Sequence, residues 1–204
     1  MTAILRAMSE MFGVQELPSV TVHGRTDRAI LADLFGHFEI DLENNIDEFH
    51  RRYWIYLPEA MQQIEGTLLP GVLELLNVLS QRDDVALGLL TGNAKVPAYA
   101  KLTHFALADF FSFGGFGDID DCRNRVAARA KSEAAKHLSQ RFDPERVWVI
   151  GDTIHDVNCA RTIGARVVAL ETGGTSAEKL ALSRPDLIMS DLSDTNHFLD
   201  QVLS

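Results

Sequence analysis

Two carboxylates, Asp152 and Asp156, follow directly on the run Val147-Trp148-Val149-Ile150-Gly151. An uninterrupted apolar run rich in β-branched residues reads as a strand buried on both faces, here ending at the glycine. Acids at the tip of such a strand stand where open α/β sheets bind their ligands, and two of them can hold a hard cation such as Mg2+. Asp156 has a second use open to it. It falls at the start of the next run, which reads as helix to Gly164, and a carboxylate there can cap free backbone amides. The Gly-Asp-x-x-x-Asp spacing after an apolar strand favours the metal over the cap.

A second group able to do chemistry is Thr91-Gly92-Asn93, which closes the apolar run Val85-Ala86-Leu87-Gly88-Leu89-Leu90 and precedes a helical stretch. The Thr91 hydroxyl and the amides of Gly92 and Asn93 can converge on an anion, and a phosphate suits that place. Alone, the tripeptide fits an ordinary strand-to-helix turn equally well. Paired with the downstream acids, it points to phosphate chemistry at a divalent metal.

The elements that must position these residues follow from periodicity. Up to about Glu65 apolar residues recur at helical spacing, as in Ile4, Leu5, Met8, Met11 and Phe12, then Ile30, Leu31, Leu34 and Phe35, then Ile46, Phe49, Tyr53 and Trp54. From Leu68 the pattern changes. Strands are predicted at Val85 to Leu90, around Phe110 to Phe113, from Val147, at Val167 to Leu170 and at Leu187 to Met189. Helices are predicted between them, opening at Pro70-Gly71, near Pro97 to Leu107, at Asn124 to Leu138, up to Ile163 and near Ala177 to Leu182, with a short one at the end. Alternation of this kind makes an α/β fold with a doubly wound parallel sheet. The expected organisation is a helical domain over residues 1–67 and an α/β core over 68–204.

Composition narrows the partners. The 204 residues are 46% hydrophobic and carry a formal net charge of -10, which suits a globular protein and disfavours nucleic acid or an anionic membrane as the main partner. No apolar stretch approaches membrane-spanning length, and the start MTAILRAMSEMFGV has neither a basic beginning nor a cleavage site, so a cytoplasmic location is the default. Cys122 and Cys159 lack metal-ligand spacing, and Cys159 falls on a predicted helix as a core residue. Oligomeric state is left open by these features.

With those residues in view, the chain resembles the haloacid dehalogenase-like hydrolases, specifically their phosphoglycolate-phosphatase-like branch. The likeness is carried by Leu89-Leu90-Thr91-Gly92-Asn93 and by Val149-Ile150-Gly151-Asp152-Thr153-Ile154-His155-Asp156. It extends to His23-Gly24-Arg25-Thr26-Asp27, similar to a segment of the helical cap in such phosphatases, and to Leu69-Pro70-Gly71-Val72, similar to the hinge back to the core. The resemblance implies a Mg2+-dependent phosphatase of small phosphorylated metabolites. Thr91 would bind the transferring phosphoryl group with the amides of Gly92 and Asn93. Asp152 would bind the metal, and Asp156 the metal or its water. A basic residue should neutralise nucleophile and phosphate; Arg123 is the first candidate, with Lys95, Lys101 and Lys131 as rivals. Arg25 is a candidate for a substrate carboxylate.

One departure from the pattern stands out. The family carries Asp-x-Asp-Gly-Thr at the end of a first strand, its first aspartate the nucleophile that becomes an aspartyl-phosphate and its second the general acid and base. No such run occurs in these 204 residues; Asp118-Ile119-Asp120 lacks the Gly-Thr continuation and reads as a polar loop. That strand lies centrally in the family's sheet, between those leading to Thr91 and Asp152, so its absence would leave two buried edges unpaired. The resemblance therefore implies either a further N-terminal segment or a chain that has lost catalysis. In both cases the 204 residues alone are expected to be frail and to show little or no turnover.

Overall fold

The computed structural model describes residues 2–63, 66–139 and 142–203. Its elements, in chain order, begin with helices α1 (Ala3–Phe12), α2 (Asp27–His37), α3 (Leu42–Gln62) and α4 (Val72–Ser80). There follow β1 (Gly88–Leu90), α5 (Lys95–His104), β2 (Phe113–Gly115) and α6 (Arg123–His137). The last third alternates β3 (Trp148–Gly151), α7 (Ile154–Ile163), β4 (Arg166–Leu170), α8 (Ala177–Leu182), β5 (Leu187–Met189) and α9 (Thr195–Val202). None of the described helices is long and apolar enough to cross a membrane.

The chain divides into two compact units. The first comprises Met1–Gly66, Thr91–Ala108 and Phe116–Cys122. Its helices start where side chains can satisfy orphan amides: Thr2, Thr26 and Asp41 accept from the backbone N–H of Leu5, Ala29 and Asn44. α1 ends at Gly13 in the left-handed conformation, which a residue without Cβ adopts at little cost. The apolar stripes meet in a core of Met8, Leu34, Phe35 and Phe49, all essentially inaccessible to solvent. Phe35 stands edge-on to both Phe12 and Phe49, with ring centroids 5.7 and 5.4 Å apart.

The second unit comprises Thr67–Leu90, Asp109–Gly115 and Arg123–Ser204. It is mixed α/β with parallel strands throughout, as expected, but its described strands form two sheets. β1 pairs with β2, and β3, β4 and β5 form the other sheet in that order. The expected strand from Val85 is cut to Gly88–Leu90, because pairing lasts only as long as its three-residue partner, from Gly88 opposite Phe113 to Leu90 opposite Gly115. The aromatic strand predicted around Phe110 to Phe113 is displaced to Phe113–Gly115, and Ala108–Phe110 form a 3-10 turn. Propensity argues against a strand made of Gly114 and Gly115; packing of α6 reverses this, since a Cβ on Gly115 would run into the Val126 carbonyl and Ala130.

Two clusters fill the core of this unit. Val149, Val157, Cys159, Ala160, Ile163 and Val167 lock α7 onto β3 and β4, and Leu75, Leu79, Val168, Met189 and Phe198 seal α4 and α9 onto β4 and β5. α4 enters through Gly71, whose positive φ and close approach to the backbone of Leu192 leave no room for a side chain.

Candidate functional site

β3 delivers the first part of the site. Its last residue is Gly151, Thr153 caps α7, and Asp156 is the third residue of that helix. The Asp156 carboxylate folds back: Oδ2 accepts from the Thr153 amide at 3.1 Å and from the Thr153 hydroxyl at 2.7 Å. It is therefore a helix-capping acid, the second reading open to it from sequence. That fold-back explains Gly151, because a Cβ there would overlap the Asp156 carboxyl group.

Capping does not use up the carboxylate. Oδ1 of Asp156 accepts from Nη2 of Arg123 at 2.6 Å, a charge-assisted bond between side chains that are only 10% and 19% exposed. The Nε of Arg123 is buried and has no hydrogen-bond partner among the described residues, a donor waiting for an acceptor. Arg123 is placed for this by being the first residue of α6, pinned where its carbonyl accepts from the Cys159 thiol of α7. Asp152, four residues before Asp156, is half-buried, with its carboxylate laid against Gly173, where a Cβ would collide with it. Among the described residues no cluster of three or more His, Cys, Asp and Glu side chains is arranged to hold a metal.

Thr91, Gly92 and Asn93 belong to the other unit. The Asn93 amide donates to Thr91 Oγ1 at 3.1 Å, so these two groups meet each other. Around them runs a second network, centred on Asp27, an acid whose sequence position at the start of a helix gives no hint of this role. Asp27, first residue of α2, accepts the Ala94 amide at 2.7 Å and the Asn93 side-chain amide at 3.2 Å, while its own N–H donates to the Gly92 carbonyl at 2.7 Å. Arg28 N–H reaches the Gly117 carbonyl, and Gly117 N–H the Asn93 carbonyl, both at 2.8 Å. Lys101 completes the set from α5, its Nζ on the Asn93 side-chain oxygen at 2.8 Å. Ala94 is the N-cap of α5 and has no side chain to cap with, and that deficiency is the sequence signal that an outside acceptor such as Asp27 was needed.

The other candidates find ordinary partners. Lys131 caps the far end of α7 by donating to the Ile163 carbonyl at 2.7 Å. Lys95 lies over the ring of Phe116, 5.9 Å from its centroid. Arg25 is held by Asp33 and by the Ala29 carbonyl, the latter at 2.9 Å. That bond to Arg25 lowers the Asp33 pKa below the usual carboxylate range. The Arg25 fork is therefore already engaged.

The HAD-hydrolase-like family model matches residues 125–195, a stretch that contains β3 and its acids. Over 175 residues the chain is 30% identical to a phosphoglycolate phosphatase from Nitrosococcus oceani, covering 86% of this chain and 76% of the relative. The chain belongs to the haloacid dehalogenase-like hydrolases. Within them it falls in the phosphoglycolate-phosphatase-like branch: a phosphoglycolate phosphatase from Salmonella typhimurium is 29% identical over 180 residues, 83% of this chain and 67% of that enzyme. The fold agrees. A crystal structure of a predicted phosphoglycolate phosphatase from Haemophilus somnus superposes with a TM-score of 0.64 at 21% identity, covering 96% of this chain and 88% of that one. In the fold, Gly151-Asp152-x-x-x-Asp156 and the Thr91-Gly92-Asn93 turn each lie at the C-terminal end of a parallel strand.

Proposed function

We propose that this chain carries the phosphate- and metal-binding part of a phosphatase for small phosphorylated metabolites, that Mg2+ is its metal, and that the helices before Gly66 act as the cap that screens the site. The observation that carries the reading is the Arg123–Asp156 pair just after β3, four positions on from Asp152, with the Arg123 Nε buried and without a hydrogen-bond partner among the described residues. A buried guanidinium N–H that lacks an acceptor fits an incoming phosphate or carboxylate oxygen.

The donor set is compatible with Mg2+, which prefers oxygen and binds through one or two carboxylates while keeping several waters. Asp152 would be the direct ligand. Asp156, with both oxygens already accepting from Arg123 and Thr153, fits better as the acceptor of a metal-bound water. Bound there, the metal would offset the charge of the phosphoryl oxygens. The Thr91 hydroxyl and the Gly92 amide would orient the transferring group, Asp27 and Lys101 would hold that turn in shape, and Arg123 would neutralise the developing charge. Asp-x-Asp-Gly-Thr does not occur in these 204 residues, so the polypeptide by itself is expected to bind phosphate and turn over little or none.

The test is an assay of the purified chain on a generic phosphomonoester with Mg2+, run beside calorimetry with inorganic phosphate. Saturable, Mg2+-dependent phosphate binding that is lost in Asp152→Asn, without turnover, is the expected outcome. Turnover that disappears in Asp152→Asn would overturn the inactivity. Absence of any phosphate or Mg2+ binding would overturn the site.

A further inference from the structure

β3 and β4 run parallel with Gly151 opposite Ala169, so the residues that follow each strand leave the sheet side by side. Asp152 follows β3, and Glu171-Thr172-Gly173-Gly174-Thr175 follow β4. That loop is tied at both ends. The Glu171 amide donates to the Met189 carbonyl of β5 at 3.0 Å, and the Ser176 hydroxyl caps α8 by accepting from the Lys179 amide. The loop cannot draw back from Asp152 without giving up those bonds.

Between the two anchors lie glycines with opposite surroundings. A Cβ on Gly173 would stand 2.4 Å from Oδ2 of Asp152, 2.6 Å from its Cγ and 2.8 Å from its Cβ. Non-bonded carbon atoms rest at about 3.5–4.0 Å, so all three approaches are forbidden. A carboxyl group can swing aside by a change of rotamer, but the Asp152 Cβ is fixed to the backbone, and that overlap stays whichever rotamer is taken. A Cβ on Gly174 would meet nothing within 4 Å. Neither glycine has a positive φ, so the requirement at 173 is for space and not for a backbone conformation.

We infer that Gly173 is a positioning residue for the metal site: the bare backbone of the loop after β4 is the wall that sets the Asp152 carboxylate, and this setting makes the site favour Mg2+ over Ca2+. The inference rests on the reading of Asp152 as the direct ligand. The two cations differ in what they ask of a carboxylate. Mg2+ requires near-ideal octahedral geometry at about 2.0–2.1 Å, whereas Ca2+ accepts flexible arrangements of oxygens at about 2.3–2.6 Å. A carboxylate held against a wall suits the exacting ion, and a displaced one costs Mg2+ more than Ca2+.

The experiment titrates the wild-type chain, Gly173→Ala, Gly174→Ala and Asp152→Asn with Mg2+ and separately with Ca2+ by calorimetry, with circular dichroism as the check on folding. Gly173→Ala should weaken Mg2+ binding by about 10–100-fold, the range for loss of a group that orients a metal ligand. Ca2+ binding should weaken by less than about threefold. Gly174→Ala, in the same loop, should change neither. Loss of both ions in equal proportion, as from a merely loosened fold, overturns the inference, and so does an unchanged Mg2+ affinity in Gly173→Ala. In either case Mg2+ binding by the wild type that is lost in Asp152→Asn leaves the metal site standing; a wild type that binds neither ion removes site and inference together. Urea unfolding tests the contact without any metal. The drop in midpoint caused by Gly173→Ala should shrink by about half or more in an Asp152→Gly background, where all three overlapping atoms are gone. An equal drop in both backgrounds overturns the inference.

Discussion

Replacing Asp27 by alanine tests whether the Thr91–Asn93 turn is held in shape by an acid distant in sequence. The carboxylate accepts the Ala94 amide at 2.7 Å and the Asn93 side chain at 3.2 Å, both partly buried. A hydrogen bond to a charged group contributes about 1.5–3 kcal/mol, and the longer of these two belongs at or below the low end. Loss of the acid also strips α2 of its first-turn negative charge, about 0.3–1 kcal/mol. Because the Gly92 and Gly117 carbonyls keep their backbone partners, the loss for Asp27→Ala should total about 2–4 kcal/mol, a large part of a domain's usual 5–15 kcal/mol. Asp27→Asn, which retains an acceptor oxygen but no charge, should lose about half of that. Amide exchange at Ala94 is the decisive assay, with urea unfolding beside it. The Ala94 amide is expected to lose protection by at least about tenfold in the alanine variant, more than amides in the α1–α3 core. Unchanged exchange at Ala94, or a loss of stability under about 0.5 kcal/mol, would refute the assignment of Asp27 as the clasp.

Arg123→Met should destabilise unit two by about 1–3 kcal/mol in thermal unfolding, below the usual cost of breaking a fully buried pair because Asp156 keeps its two Thr153 bonds. Asp156→Ala should cost more than Arg123→Met, since it also removes the cap of α7; the opposite order would contradict the geometry. His50, half-buried and stacked on Trp54 with ring centroids 5.3 Å apart, has its pKa pushed below 6.5, chiefly by burial and against the pull of Asp118, Asp47 and Asp27. A base whose folded pKa is depressed contributes full stability above its unfolded pKa and loses it as pH falls. Stability should therefore decline from about pH 6.5 downward, and His50→Gln should flatten that decline; an NMR titration midpoint of His50 at or above its ordinary value would rule this out. Burial likewise drives the Tyr53 phenol to about 12, so an absorbance titration should show an ionisation near that value that is lost in Tyr53→Phe, with stability falling as pH rises past about 10.

Much of this protein was legible without coordinates, because the signals were local. Apolar spacing located α1, α2 and α3, the run before Gly151 located β3, and alternation of strands with helices implied the parallel pairing that β3, β4 and β5 adopt. The motifs at the two strand tips, Thr91-Gly92-Asn93 and Gly151-Asp152-x-x-x-Asp156, stated the family on their own. What periodicity could not contain was any partner chosen at long range. The length of β1 depended on how much of Phe113–Gly115 could pair with it, and strand status for two glycines depended on how closely α6 needed to approach. The choice of Arg123 over Lys131 as the neighbour of Asp156 came from where α6 begins relative to α7, which no spacing along the chain encodes. Asp27 is the clearest case. In sequence it is one more acid at a helix start, and it became the clasp of a turn 67 positions away only because Ala94 begins a helix with no cap of its own and the fold brings the two together. Local pattern decides which elements form; hydrogen-bond satisfaction in three dimensions decides which side chains those elements press into service.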